Sequence, residues 1–479
     1  MTVARGDGIG PEIMDSVLFL LREAGARLDL ETIEIGAQMH ARGHSAGIEP
    51  GAWESLRRTG VFLKAPITTP QGTGVKSLNV TIRKTLGLYA NVRPCRTWHP
   101  FVPTSHPDMN VVVIRENEED TYGGIEHRQT PEVTQCLKLI SRPGTEKLVR
   151  YAFEYARRHG RRRVSCFTKD NIMKLTDGLF HRVFREVAAA YPELESEHRI
   201  IDIGTARLAK DPLAFDVLVL PNLFGDIVSD VAAELAGSVG LAGSANIGET
   251  CAMFEAVHGS APDIAGRDLA NPSGLLHAAV MMLEHLEQGD VAERLHNAWL
   301  CTIEDGIHTV DVAPPTERHR AVGTRAFTQA VAERMGRVPG VLPAAEHLSD
   351  RSPRSIVAAT RRPRPQKSLV GVDVFFDWDE SERRAEVLAS RLEPVAGAAW
   401  RLSMITNRGV KVYPGGLPET FCTDHWRCRF LAADGRSSVT HAEVVGLLGR
   451  LAEAGLDFVK TEHLCTFDGE RGYSLGQGE

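Results

Sequence analysis

The chain has 479 residues, 43% hydrophobic and 24% charged, enough for a globular protein of two or three domains. A net charge of −7 gives no electrostatic reason to expect nucleic acid, and no apolar run reaches the length of a membrane span. The N-terminus lacks the apolar core of a secretion signal, and eight cysteines are too sparse for a disulfide framework, so a cytoplasmic protein is expected.

Gly6-Asp-Gly8-Ile-Gly10-Pro11 falls between a short strand and a helix. Its glycine spacing misses the dinucleotide-loop offset, which predicts a tight strand–helix turn instead. Ser77 opens a helix beside free backbone N–H groups suited to an anion, with Asn79 and Arg83 spaced i,i+4 on one face. Arg93 and Arg115 adjoin apolar, strand-like sequence, the second directly after the predicted strand at 110–114. An arginine near a core needs an anion, which is either a structural ion pair or a carboxylate-bearing ligand. Tyr122 stands among acids and glycines, as a proton donor or a plain surface residue. A helix at 145–159, a strand at 163–168 and a helix at 173–190 come next. Lys169 and Asn171 follow the strand's end, where α/β sites collect. The run 216–221 is a buried strand and Asn222 opens a helix that stacks Asp226 over Asp230. That like-charged pair suits either two solvated carboxylates or a divalent cation with oxygen ligands.

Strands and helices alternate to about residue 338, as in an α/β core. Residues 339–367 carry Pro339, Pro343, Pro353, Pro363 and Pro365 without periodicity, which predicts a linker. Residues 368–479 form a second module, with strands at 369–376, 400–405, 409–413, 426–432 and 456–461 and helices at 380–392 and 441–454. The pattern is that of a small α+β domain with an antiparallel sheet. Cys422, His425 and Cys428, with His463 and Cys465, have zinc-type chemistry. Strand alternation would turn His425 and Cys428 to opposite faces, so ordinary packing is expected.

These segments resemble the β-decarboxylating dehydrogenases, the family of isocitrate, isopropylmalate and homoisocitrate dehydrogenases. The resemblance rests on Gly6 to Pro11, Tyr89-Ala-Asn-Val-Arg-Pro94, Arg115-Glu-Asn, Tyr122-Gly-Gly-Ile-Glu126, Lys169-Asp-Asn-Ile-Met-Lys174, Asn222 to Asp230, and Glu255-Ala-Val-His258-Gly-Ser-Ala-Pro-Asp263-Ile264-Ala-Gly266. The tail, through Val370 to Phe375, Ile405 to Gly409 and Asp424 to Phe430, resembles the C-terminal extension of long Thermus-type isocitrate dehydrogenases. The resemblance implies a two-lobed α/β core unlike a Rossmann fold. Residues 1–88 and 237–338 would form a large cofactor-binding lobe and 89–236 a small lobe with dimer contacts. It further implies a homodimer with shared active sites, possibly within a larger assembly, and Mg2+ or Mn2+ held by Asp226, Asp230 and the second subunit's Asp202. Lys169 would be the base, Asn171 its orienting partner and Tyr122 the proton donor. Ser77, Asn79, Arg83, Arg93 and Arg115 would hold the substrate. Thr68, Thr69, Glu255, His258, Gly259, Ser260, Ala261, Asp263, Ile264 and Asn271 would line the cofactor.

The polar pair Ser77 and Asn79 favours isocitrate, since each would lose about 1–3 kcal/mol if left unpaired beside an isopropyl group. NADP enzymes of the family place Lys-Tyr where this chain has Asp263-Ile264. A carboxylate there would accept from free ribose hydroxyls and repel a 2′-phosphate, so NAD is the expected cofactor. Arg318 and Arg320 are expected on a solvated face. The alternatives are an NAD-dependent homoisocitrate or 3-isopropylmalate dehydrogenase and an NADP-dependent isocitrate dehydrogenase. A non-catalytic regulatory subunit is disfavoured, because the residues aligned with catalysis and metal binding are all present.

Overall fold

The computed structural model describes residues 1–44, 46–68, 77–347, 363–436 and 438–478. They divide between two compact units, Met1–Gly123 with Lys138–Ala359, and Gly124–Leu137 with Thr360–Glu479. Among the described residues no helix is long and apolar enough to cross a membrane.

The first unit is built on one ten-stranded mixed sheet. From one edge its strands are Glu31–Ile33, Thr2–Ala4, Val61–Lys64, Ala252–Ala256, Gly243–Ile247, Ala90–Arg96, Asn110–Glu116, Val217–Leu220, Arg163–Thr168 and Glu195–Ile200. Pairing is parallel on both flanks and antiparallel through Ala252–Ala256, Gly243–Ile247, Ala90–Arg96 and Asn110–Glu116. Strands such as Val217–Leu220 are buried along their whole length, which is why they read as unbroken apolar runs rather than alternating ones. Both lobes read from the sequence draw on this sheet, and the α/β class holds.

Two differences have local causes. The helix expected at 145–159 begins earlier, at Arg142–Arg158, because the Ser141 hydroxyl accepts from the Gly144 N–H and a proline occupies its first turn. The stretch 339–347, expected as linker, is pinned to the core. Glu304 accepts the N–H groups of Gly340 and Val341 at 2.8 Å each, and Leu342 is buried. Such long-range capture leaves no periodic trace. Most of the expected linker, 348–362, lies outside the described residues.

The second unit has a six-stranded antiparallel sheet in the order Val410–Tyr413, Trp400–Asn407, His425–Ala432, Lys367–Asp377, Phe458–Phe467, Glu470–Arg471. The helices Ala385–Ala396 and His441–Glu453 contribute Leu388, Leu392, Leu447 and Leu451 to its core. Cys428 is buried in that core while His425 stacks on Phe375 at 5.4 Å, so the two leave the strand on different sides. The hairpin of Glu126–Arg128 and Thr134–Cys136 also belongs to this unit. Thr130 donates to Asp424 at 2.5 Å and Arg383 grips Glu132 at 2.8 Å. The tail module therefore recruits a segment nearly three hundred residues upstream, a partnership that no local pattern announces.

Candidate active site

Asn110–Glu116, Val217–Leu220 and Arg163–Thr168 run parallel, and their C-terminal ends deliver Arg115, the helix Asn222–Leu235 and Lys169 to one edge of the sheet. Asp120 orients the helix start by accepting the Leu223 N–H at 2.9 Å. Gly225 is needed for close approach, since a Cβ there would lie 2.6 Å from Arg115 Cγ. Arg115 can therefore run under the helix to Asp226.

Asp226 accepts from Arg115, from the Tyr122 hydroxyl at 2.5 Å and from Arg93 at 3.4 Å, and Asp230 accepts from Arg93 at 3.1 Å. Burial pushes the Asp226 carboxyl up, but Arg115 and Arg93 outweigh it and hold it below the ordinary carboxylate range. Asp230 is raised, burial prevailing over Arg93. Burial, with Arg93 and Arg83 close by, lowers the Arg115 guanidinium to about 10. Three mutually repelling arginines make a site that favours a multiply charged anion. The two stacked carboxylates offer hard oxygen ligands only, a donor set that suits Mg2+ or Mn2+.

Behind the arginines lies a buried network that sequence reasoning missed. Glu255 sits between Lys64 at 2.7 Å and Arg83 at 2.8 Å, and also accepts from Asn246 at 2.9 Å. Asn246 accepts from Asn91, which in turn accepts from Arg93 at 2.7 Å, so one chain of bonds links Arg93 to Arg83. Glu255, expected at the cofactor, thus has its carboxylate committed to two buried cations. Lys64 had no signal beyond a charge ending an apolar strand. Glu255→Gln should cost about 3–5 kcal/mol in urea denaturation, because it strands those cations. The folded-state pKa of Glu255 is held far below the ordinary value by Lys64 and Arg83, against burial. Its stabilisation is therefore complete above the unfolded value near 4.3 and fades as pH falls below it, a dependence the Gln variant should lack.

Ser77 precedes the helix Leu78–Thr85, which carries Asn79 and Arg83. Asn79 Oδ1 and Arg83 Nε are buried with no hydrogen-bond partner among the described residues. Unpaired buried polar atoms beside an arginine cluster suit a polar ligand.

Lys169 pairs with Asp202 at 3.0 Å, and neither touches Asp226 or Asp230 within this chain. Asn171 is exposed beside them. Lys138 ties the two groups together. It bonds buried Asp120 at 2.8 Å, which orients the Asp226 helix, and buried Asp177 at 3.1 Å, which accepts the Lys169 N–H. Asp170, His181 and His198 form the one cluster of three among the described residues with mutual metal-ligand spacing. Its donors are spent internally, on an Asp170–His181 bond at 2.7 Å and a Thr168–His198 bond at 2.8 Å.

The expected cofactor segments converge at the glycine turn. Gly8 adopts φ +60°, and a Cβ there would meet the Ser260 carbonyl at 1.9 Å. The turn's Asp7 accepts the Thr68 N–H at 2.9 Å, and the hydroxyls of Thr68 and Ser260 lie 2.7 Å apart. His258 bonds the Gly259 carbonyl at 3.0 Å, Ala261 takes a left-handed conformation, and Asn271 bonds Asp311 at 3.0 Å and the Ser273 N–H at 2.9 Å. Asp263 and Ile264 lie in the short turn Pro262–Ile264. Thr69 lies outside the described residues.

Fold and site together define an α/β protein whose sheet edge can hold a multiply charged anion beside a divalent cation. The chain belongs to the isocitrate/isopropylmalate dehydrogenase family, whose model matches residues 1–331, with the bacterial isocitrate dehydrogenase C-terminal domain matching residues 367–479. It is 52% identical over 480 residues to a Rickettsia felis protein named isocitrate dehydrogenase (NADP), covering 100% of this chain and 99% of the relative. A Thermus thermophilus protein of the same name is 45% identical over 491 residues, covering 100% and 96%. A crystal structure of a Thermus thermophilus protein, titled only as the TT0538 protein, superposes with a TM-score of 0.93 at 44% identity, covering 100% and 96%.

These relatives overturn the expectation of NAD, since both named dehydrogenases are named for NADP. Repulsion of the 2′-phosphate would fall to one side chain, and Asp263 is exposed in its turn, where solvent and salt screen a single carboxylate. Arg267 also donates to the Asp263 main-chain carbonyl at 3.3 Å and brings a cation beside it. Arg318 and Arg320 are exposed in a turn of their own, with no ion-pair partner among the described residues.

Proposed function

We propose that the chain catalyses NADP-dependent oxidative decarboxylation of isocitrate to 2-oxoglutarate and CO2. The observation that carries this reading is the convergence of Arg83, Arg93 and Arg115 beside Asp226, Asp230 and Tyr122. Counting Lys64, four cations there face the carboxylates of Glu255, Asp226 and Asp230. A divalent ion would raise the positive surplus to match a tricarboxylate. Asp226 and Asp230 would hold Mg2+ or Mn2+, which when bound polarises the substrate's oxygens as a Lewis acid. Arg93 and Arg115 orient carboxylates bidentately, and Ser77 with Asn79 receives the third. Lys169 takes the hydroxyl proton, Asn171 orients it, and Tyr122 protonates the carbon that loses CO2. Thr68, Ser260 and the 258–264 loop receive the cofactor, with Arg267, Arg318 and Arg320 as the cations for its 2′-phosphate. Steady-state assays should give a higher kcat/KM with NADP than with NAD on isocitrate, and no turnover of 3-isopropylmalate. Equal or better use of isopropylmalate would sink the substrate assignment.

A homodimer with shared sites fits the separation of Lys169 and Asp202 from Asp226. It also fits the apolar residues Ile172, Leu175, Ile203 and Ile227, which this chain leaves 64%, 44%, 53% and 55% exposed beside those groups. If Lys169 acts across the dimer, mixing inactive Lys169→Met with inactive Asp230→Asn should restore up to roughly a quarter of wild-type activity, from one intact site per mixed dimer. No recovery after demonstrated subunit exchange would confine the site to one chain.

A further inference from the structure

The strand that brings Arg93 to Asp230 turns Val92, Pro94 and Arg96 to its opposite face, where a cavity of about 450 Å3 opens. That is within the size range of small-ligand pockets. Its wall includes Ala233 and Ala236, at the far end of the helix that carries Asp226 and Asp230. None of Ser77, Asn79, Arg83, Arg115, Tyr122 and Asp226 lines it.

At one end lies a half-buried Arg96, its guanidinium 5.0 Å from the Trp98 ring, with no carboxylate partner among the described residues. Neighbouring Arg161 already has Asp216 at 2.8 Å, so Arg96 faces a second cation without an anion of its own. Burial and Arg161 lower its pKa, as expected for a guanidinium short of a counter-charge. Tyr151, Tyr155, Val280 and Met281 supply flat or apolar walls.

His277 and His296 also line the cavity, and each has a buried Nε2 with no hydrogen-bond partner among the described residues. Their tautomers follow from their other bonds. His277 Nδ1 lies 2.7 Å from the Leu241 carbonyl and must donate to it, which leaves Nε2 a bare acceptor. His347 Nδ1 lies 2.5 Å from Glu284 and its Nε2 3.0 Å from His296 Nδ1; when His347 is neutral and donates to Glu284, it accepts from His296, whose Nε2 is then bare as well. Burial lowers both groups and keeps them neutral, His277 at about 4.

We propose that this cavity is a second ligand site, for a small aryl carboxylate or aryl phosphate carrying a hydroxyl or amino donor. The anion pairs with Arg96, the ring lies among the tyrosines and Trp98, and the donor meets an imidazole lone pair.

The test is calorimetric titration of the full-length protein with 4-hydroxybenzoate and with phenyl phosphate, inorganic phosphate serving as control. The two arms separate a carboxylate from a phosphate ligand. At least one aryl anion should bind once per chain, at least tenfold tighter than inorganic phosphate, with affinity unchanged by saturating isocitrate. Arg96→Gln should weaken it tenfold or more, and Met281→Trp, which fills the cavity, should abolish it. Both variants should keep wild-type isocitrate turnover without the probe. If Arg96→Gln does not fold, Met281→Trp decides alone. Absence of binding by either probe, displacement by isocitrate, or binding unchanged in the folded variants would overturn the proposal.

Discussion

Asp226→Asn is expected to cut kcat on isocitrate by about a thousandfold or more, several kcal/mol of lost charge stabilisation at about 1.4 kcal/mol per decade. The fold should survive. Asp226 is 34% exposed and Asn keeps an oxygen that accepts from Arg115, itself only 1% exposed, so the cost is about 1–3 kcal/mol against a total stability of roughly 5–15. Asp230→Asn separates the two effects. Its carboxylate is 62% exposed and, among the described residues, bonds only Arg93, so its ion pair contributes at most about 1 kcal/mol to stability. Its turnover should nevertheless fall as steeply as that of Asp226→Asn, if the pair serves a cation rather than the fold. A variant with near-normal kcat at low Mg2+ and an unchanged melting temperature would show that Asp230 is only a surface partner of Arg93. Without substrate, Arg93 and Arg115 occupy the same oxygens a cation would need. Substrate carboxylates that draw the arginines away should therefore tighten cation binding.

What can be seen in the sequence follows from where each interaction closes. Asp226 and Asp230 are four residues apart on one helix, so their juxtaposition is a matter of local periodicity. The arginines are visible as charges in apolar surroundings, but their mutual arrangement closes across distant strands. Arg83 meets Glu255 over a separation of 172 residues, and a carboxylate next to a family cofactor loop reads as part of that loop. Lys138 leaves no trace at all, because its two aspartates come from distant elements, Asp120 from the segment before Tyr122 and Asp177 from the helix Thr176–Ala188. Cofactor choice is the least legible feature. It rests on a few exposed side chains in the turns Pro262–Ile264 and Arg318–Arg320, and the net field of several screened charges does not follow from one acidic residue.

If Tyr122 donates the proton that completes the proposed reaction, Tyr122→Phe isolates that step. The ring should keep its place under Arg115, whose guanidinium carbon lies 4.8 Å from the centroid, so KM for isocitrate should change by less than about threefold. Losing the hydroxyl should lower kcat by about 10²–10⁴-fold, the usual span for a positioned general acid. Burial raises the phenol's pKa, Arg115 opposes this, and the bond to Asp226 raises it again. The net shift is upward, so the phenol remains a proton donor through neutral pH and beyond 10. The stability it contributes is accordingly full below the unfolded value near 10 and lost as pH climbs through the folded one. A structural role for this hydroxyl would also depress kcat, so a second readout is needed. Wild-type protein incubated with 2-oxoglutarate, Mg2+ and NADPH in D2O should exchange a C3 proton for deuterium, if the same phenol delivers and removes it. Tyr122→Phe should lose that exchange in proportion to its kcat, with its binding of isocitrate intact. Exchange at the wild-type rate in the Phe variant would transfer the proton-donor role to another group at the sheet edge.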